Sequence, residues 1–149
     1  MKSFLKSIID LFNFLKIKSD ERKIVFYAEN ENSYLVFTGI IEFLTKQLNQ
    51  VIYYVSSSIN DPILKNKNPK IRSFFLGNGT IRTIFFQLFN SQIMILTMPE
   101  INISYIKKSH FAKNFIYLTH NICSIHMVFR KKAFNHYDTF FCVGPHHNA

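Results

Sequence analysis

The chain has 149 residues, 48% hydrophobic and 18% charged, which suits one domain with its own core and excludes a disordered or collagen-like chain. Eighteen Lys and Arg against nine Asp and Glu give a net charge of +9. This excess favours anionic partners such as nucleic acid, phosphorylated polymers or an acidic membrane surface. Two cysteines are too few for a disulfide framework and favour a reducing, cytoplasmic compartment.

Residues 1–18 predict a basic amphipathic helix. Its apolar side chains share an arc of roughly 160° at about 100° per residue, and they are Phe4, Leu5, Ile8, Ile9, Leu11, Phe12 and Leu15. Such a helix can lie in the surface of an anionic bilayer, or it can pack its apolar face on the domain. No segment supplies the roughly 20 apolar residues of a transmembrane helix, and Asp10 interrupts any signal-peptide pattern.

Six short, almost wholly apolar runs follow, at residues 24–27, 51–55, 74–76, 93–96, 115–118 and 140–143. Continuous apolar runs are typical of strands that are buried on both faces of a parallel sheet. Residues 34–48 and 80–89, between such runs, have helical character, and residues 60–70 indicate a surface connection. Because strands alternate with helices, we predict a Rossmann-like α/β domain with a mainly parallel sheet over residues 22–149.

Ligands of open parallel sheets bind outside the carboxyl ends of the strands, so the residues that follow the apolar runs are the site candidates. Glu29 and Asn30 follow the first run, and Gly77, Asn78 and Gly79 follow the third. A glycine turn before a helix suits a phosphate group. This turn matches neither the dinucleotide fingerprint nor the P-loop, so a tight strand-to-helix turn is the alternative.

His120 follows the fifth apolar run. With an unperturbed pKa of about 6.5, a neutral imidazole there can accept a proton from an incoming hydroxyl, or it can simply hydrogen-bond a loop. Its spacing to Cys123 and His126 fits no common zinc pattern, and we predict no metal site. The basic segments carry no nucleic-acid-binding motif, so they favour a solvated face, a polyanionic acceptor or a bilayer over nucleic acid.

The segment YLTHNICSIHMVFRKKAFNHYDTFFCVGPHH, residues 117–147, resembles the CDP-glycerol glycerophosphotransferase family, which includes teichoic acid glycerophosphate primases and polymerases. Ser124, His126 and Arg130 belong to the matching pattern. The upstream segments KIVFYAENENSY, FFLGNGTIRTIFFQ and ILTMPEINISYIKKS also fit it. His120 matches the position of the family's base, in a turn that reads T-H-N-I-C-S where the widespread version is W-H-G-T-x-x-K.

The resemblance implies the amino-terminal half of a GT-B-type fold. Family members transfer glycerol phosphate from CDP-glycerol, without a further cofactor, to a lipid-linked polyanionic acceptor in teichoic acid, cell-wall or capsule synthesis. It implies His120 as catalytic base. The residues of the sheet edge and of the matching segment together give the acceptor- or phosphate-binding candidates, namely Glu29, Asn30, Gly77, Asn78, Gly79, Ser124, His126 and Arg130.

The resemblance assigns donor binding to a carboxy-terminal domain that these 149 residues do not include. We therefore expect a chain that is inactive alone, has that domain as a partner, and is peripheral on the inner face of the plasma membrane. One alternative is a non-catalytic remnant that binds membrane or a partner polypeptide. Another is a small α/β module that binds a nucleotide or nucleic acid.

Overall fold

The computed structural model describes residues 2–99, 101, 113–119 and 132–142. In this part of the chain six strands form a single sheet, in which every neighbouring pair is parallel. The strands are β1 (Ile24–Ala28), β2 (Ile52–Ser56), β3 (Ile71–Phe75), β4 (Ile93–Leu96), β5 (Asn114–Leu118) and β6 (Thr139–Phe141). Their order, β3-β2-β1-β4-β5-β6, confirms the predicted parallel α/β architecture and is consistent with a Rossmann-like fold.

Helices cover both faces of the sheet. They are α1 (Lys2–Lys16), α2 (Ser33–Glu42) and α3 (Thr80–Leu88). Alternate residues of β1 point to opposite faces, so Val25 and Tyr27 pack with α1 and α3, whereas Phe26 packs with α2. Both faces are therefore buried, as the continuous apolar runs predict.

Helix α1 belongs to the core of the domain. Its Ser7, Leu11 and Phe14 are buried, and the Phe14 ring lies 5.4 Å from that of Phe74, centroid to centroid. The Asp10 carboxylate accepts a 2.9 Å hydrogen bond from the backbone N–H of Phe75 in β3. The buried side of α1 is therefore offset from the predicted apolar arc. It includes Phe14, which the predicted arc does not contain.

Strand β3 begins at residue 71, three residues before the predicted run at 74–76. It is the outermost strand next to β2, and Arg72 in its first half is exposed. A strand at the edge of a sheet needs no continuous apolar run, so its first residues escape a search for such runs.

The predicted helix over residues 34–48 divides in two. Helix α2 ends at Glu42, and a π-helical turn, Phe43–Gln47, follows it. The Thr45 hydroxyl donates a 2.7 Å hydrogen bond to the carbonyl of Ile41, a local bond that bends helices. The helical segment closes at Asn49, whose φ of 55° lies in the left-handed region.

Candidate functional site

The carboxyl ends of the strands meet along one edge of the sheet. The register pairs Ala28 of β1 with Ser56 of β2, and Tyr27 with Leu96 of β4. The loops that begin at residues 29, 57 and 97 therefore leave the sheet side by side. The strand order reverses between β1 and β4, which is where open α/β sheets bind their ligands. This edge, between β1 and β4, is the candidate site.

Glu29 is exposed and follows β1 directly, at this reversal point, and its negative charge acts on two buried tyrosine hydroxyls. Burial raises the pKa of Tyr27, and the nearby Glu29 carboxylate raises it further, whereas the Ser57 hydroxyl and the Arg82 guanidinium lower it. Burial also raises the pKa of Tyr137, and Tyr117 and Glu29 add to that effect. Both hydroxyls therefore stay neutral at physiological pH.

The two tyrosine hydroxyls are held by their own hydrogen bonds. The Tyr27 hydroxyl lies 2.7 Å from the Ser57 hydroxyl, and the Tyr137 hydroxyl donates to the backbone carbonyl of Met98. These bonds connect the two tyrosine hydroxyls to Ser57, which follows β2, and to Met98, which follows β4, the two neighbours of β1. Glu29 is thus an exposed hydrogen-bond acceptor at an edge where both tyrosine hydroxyls are neutral and already hydrogen-bonded.

Arg82, in the first turn of α3, was missed by the sequence reasoning. Its Nη1 donates a long, 3.4 Å hydrogen bond to Asn78 Oδ1. Its Nε is buried and has no hydrogen-bond partner within the described residues. The position of Arg82 in the sequence could have indicated a functional role. A cation in the first turn of a helix is unfavourable with respect to the helix dipole, so such a residue often has another partner.

The turn at residues 77–79 lies beyond β3, two strands from β1 and therefore about 10 Å away. Gly77 has φ +66°, and an added Cβ would lie 3.4 Å from the Phe75 ring, so the turn itself requires this glycine. Gly79 is extended and faces open space. Beside the turn is an open pocket of about 330 Å³, lined by residues 75–81 and by Ser3, Phe4 and Ser7 of α1.

Asn30 has a local role in the loop after β1. Its Oδ1 accepts a 3.0 Å hydrogen bond from the backbone N–H of Asn32. In the same loop, Glu31 accepts a 2.6 Å hydrogen bond from the Ser58 hydroxyl, which lowers the pKa of Glu31. The structure thus separates Asn30, whose side chain shapes the loop, from Glu29, which is exposed and whose charge acts on the two buried tyrosine hydroxyls.

Asp61 forms a second buried polar cluster, inside the segment predicted as a surface connection. Its carboxylate accepts hydrogen bonds from the hydroxyls of Ser56 (2.7 Å) and Tyr54 (3.1 Å), and from the backbone N–H of Ile63 (3.1 Å). Burial raises the pKa of Asp61. Since its partners are internal, the cluster anchors the 3₁₀ turn Pro62–Lys65 to β2.

The remaining predicted site residues, His120, Ser124, His126 and Arg130, lie outside the described residues. Thr119, just before His120, is held at the end of β5. Its backbone N–H and its hydroxyl donate to the Phe141 carbonyl, at 3.1 and 2.8 Å. The chain therefore enters the 120–131 segment from the same edge of the sheet that carries Glu29.

No known protein family, curated protein or solved structure matches this chain. Within the described ranges, no helix is long and apolar enough to cross a membrane. The same ranges contain no group of three His, Cys, Asp or Glu side chains arranged to hold a metal ion. The described edge offers the exposed carboxylate of Glu29 and the guanidinium of Arg82, a pair that suits a ligand with both hydroxyl and anionic groups.

Proposed function

We propose that the chain is the acceptor-side, amino-terminal domain of a CDP-glycerol glycerophosphotransferase-like enzyme of GT-B architecture. The enzyme would transfer glycerol phosphate to a membrane-linked polymer of the teichoic acid or capsule type. The observation that carries the proposal is the position of Glu29, at the strand-order reversal and at the sheet edge where Thr119 leads into the family-like segment.

The groups around Glu29 favour a hydroxyl-rich acceptor over a nucleotide. The turn after β1 reads Glu-Asn-Glu-Asn and has no glycine with which to cradle a pyrophosphate. Its carboxylates would repel phosphates, but a carboxylate accepts hydrogen bonds from polyol hydroxyls strongly. The terminal glycerol unit of the acceptor would therefore bind at Glu29.

The anionic part of the acceptor would lie toward α3. The Arg82 guanidinium acts on the Tyr27 hydroxyl, and its buried Nε has no hydrogen-bond partner within the described residues. A guanidinium binds phosphate oxygens through two parallel hydrogen bonds. Phosphate groups of the acceptor would thus lie along the edge from Arg82 to the pocket beside Gly77.

His120 is the proposed base. It would accept the proton of the acceptor hydroxyl while that oxygen forms a bond to the phosphorus of the glycerol phosphate group. The bond between that phosphorus and the bridging oxygen breaks in the same step, and CMP leaves with the bridging oxygen. The donor would be held by a second domain, so we expect no CMP release by this chain alone.

The proposal includes a cytoplasmic, peripheral location at the inner face of the plasma membrane, where a lipid-linked acceptor is presented. A second candidate function is binding without catalysis, to a membrane or a partner polypeptide. The exposed apolar side of α1 favours it specifically, because a catalytic role does not require that surface.

The first experiment measures binding of a soluble glycerol phosphate oligomer to the purified chain by calorimetry. Losing a hydrogen bond to a charged group predicts about 10- to 100-fold weaker binding for Glu29→Gln. The matched control is Glu31→Gln, which removes another exposed carboxylate from the same loop, one that is bonded to Ser58, and it should bind like the wild type. If wild-type protein does not bind the oligomer, or both variants bind equally, the chain is not the acceptor domain.

The second experiment adds a donor-binding domain from a glycerophosphotransferase and measures CMP release from CDP-glycerol. Loss of a general base predicts a rate about 10²- to 10⁴-fold lower for His120→Ala. His136→Ala, in the described turn at 132–136, should leave the rate unchanged. CMP release that survives His120→Ala contradicts the assignment of the base. Release by the chain alone contradicts the need for a second domain.

A further inference from the structure

Helix α1 has an apolar face that the domain does not cover. Phe4, Leu5, Ile9 and Phe12 are large apolar residues with exposed fractions of 62%, 60%, 50% and 59%. Leu5, Ile9 and Phe12 are spaced by four and three residues, so their side chains form one continuous stripe. Single exposed apolar residues are ordinary, but a continuous apolar face marks a contact surface.

The stripe lies on a different side of α1 from the residues that pack on the sheet. Leu11 and Phe14 face the core, and Asp10 is bound to the backbone of β3. Thus the packing of α1 on the domain uses one side of the helix and leaves Leu5, Ile9 and Phe12 available. The helix can therefore bind a partner without leaving the domain.

The charges around the stripe are positive. Helix α1 contains three lysines and one acid, and that acid, Asp10, already accepts hydrogen bonds from Lys6 and from Phe75. Lys16 is exposed at the end of the helix, and Lys18 follows it, also exposed. A second copy of this chain, docked stripe to stripe, would add positive charge to positive charge, whereas an anionic lipid surface complements both the apolar stripe and the lysines.

We infer that α1 docks on an anionic lipid surface, with Leu5, Ile9 and Phe12 in the lipid boundary and Lys16 among the headgroups. The helix has 15 residues and is about 22 Å long, so it would lie along the surface. It is then a surface helix that is held by the domain on one side and by lipid on the other.

This docking connects the membrane with the pocket beside Gly77. Phe4 is exposed on α1, between the buried side of the helix and the stripe, and it also lines that pocket, together with Ser3 and Ser7. The pocket would then open at the level of the headgroups. Lipid docking depends on α1 alone, whereas delivery of a lipid-linked acceptor through this pocket rests on the proposed function.

The test is vesicle flotation with the full chain and no acceptor polymer. The vesicles contain either phosphatidylcholine alone or equimolar phosphatidylcholine and phosphatidylglycerol. We expect binding to the anionic vesicles that is at least about tenfold tighter than to the neutral ones and weakens with salt. Phe12→Ser should weaken it about fivefold or more, because it removes an inserted aromatic ring.

The matched control is Leu35→Ser. Leu35 is 73% exposed on α2, which packs on the opposite face of the sheet, so this variant should bind vesicles like the wild type. Both positions are exposed, and circular dichroism with thermal unfolding should show that both variants fold. Equal effects of the two substitutions, or a Phe12→Ser variant that binds like the wild type, would overturn the inference.

A second pair of variants tests whether the position of a charge matters, since both substitutions change the net charge of the chain by the same amount. Lys16→Glu should weaken binding to anionic vesicles about tenfold or more, whereas Lys65→Glu should have a much smaller effect. Lys65 ends the 3₁₀ turn whose Ile63 packs in the α2 layer. If the two charge reversals weaken vesicle binding equally, binding depends only on the net charge of the chain, and the placement of Lys16 among the headgroups is wrong.

Analytical ultracentrifugation tests whether a second copy of the chain covers the stripe instead of lipid. If wild-type chain dimerises without binding vesicles and Phe12→Ser makes it monomeric, a second copy covers the stripe and the inference is wrong. The vesicles hold no glycerol phosphate, so failure of the proposed function would leave vesicle binding intact. Conversely, absent vesicle binding would leave oligomer binding at Glu29 intact.

Discussion

Phe14 provides the sharpest test of whether α1 is part of the folded domain. Its side chain is fully buried, and its ring lies 5.2 Å from Phe85, 5.4 Å from Phe74, 6.3 Å from Phe89 and 6.4 Å from Tyr53, between centroids. Phe14→Ala removes this packing and leaves a cavity. The expected loss in the free energy of unfolding is about 3–5 kcal/mol.

This loss is large against the total stability of a domain, which is about 5–15 kcal/mol. For a chain of this size it corresponds to a fall in Tm of roughly 10 °C. Urea unfolding, followed by far-ultraviolet circular dichroism and by tyrosine fluorescence, measures it directly, since the chain has seven tyrosines and no tryptophan.

The control is Phe12→Ala, two residues away on the same helix. Phe12 is 59% exposed, so its removal should change the free energy of unfolding by no more than about 0.5 kcal/mol. If both substitutions cost little, α1 is not held by the domain. If both cost several kcal/mol, the stripe that includes Phe12 is covered in solution.

Three further predictions concern stability and are measured by the same urea unfolding. Gly77→Ala should cost about 1–2 kcal/mol, because alanine is strained at φ +66°, whereas Gly79→Ala should be nearly neutral; equal effects would contradict the geometry of the turn. Arg22 is 5% exposed, lies over the Phe14 ring, and its Nε and Nη1 have no hydrogen-bond partner in the described part of the chain. Arg22→Met should leave stability unchanged or raise it by about 1–2 kcal/mol, and a clear loss would mean that the guanidinium has a partner. Asp61 has a raised pKa in the folded state, so the folded chain retains its proton to higher pH than the unfolded chain does. The contribution of Asp61 to the free energy of unfolding is therefore complete below about pH 4 and is lost as the pH rises through the folded pKa. Over that pH range the free energy of unfolding of the wild type should fall relative to that of Asp61→Asn. If the two free energies change in parallel with pH, the reasoning is refuted.

The candidate site could be predicted in outline but not in composition. The sequence places Glu29 at the end of an apolar run, so the rule for parallel sheets brings it to the binding edge. No local feature of the sequence shows that Arg82 approaches Tyr27, because the two residues are far apart along the chain. That proximity depends on how α3 packs against β1, which is a tertiary property.

The same division holds for Asp61. In sequence it stands in a polar, proline-containing segment, which indicates a loop at the surface. The structure buries it fully between the hydroxyls of Ser56 and Tyr54. A polar side chain can be buried only when its partners are in place, so its burial could not be predicted from the segment alone.

The sequence by itself determined the central strands and their parallel type, because a strand buried on both faces must be apolar at every position. Each of the six runs overlaps a parallel strand, and the helical segments fall between them, but the edge strand β6 covers only Thr139–Phe141 and is exposed rather than buried. Only the tertiary structure decided the order β3-β2-β1-β4-β5-β6, since pairing joins residues that are distant in sequence. It also decided which side of α1 is buried. The helix has more apolar surface than the sheet can cover, and packing against β3 and α3 selected Leu11 and Phe14 for the core.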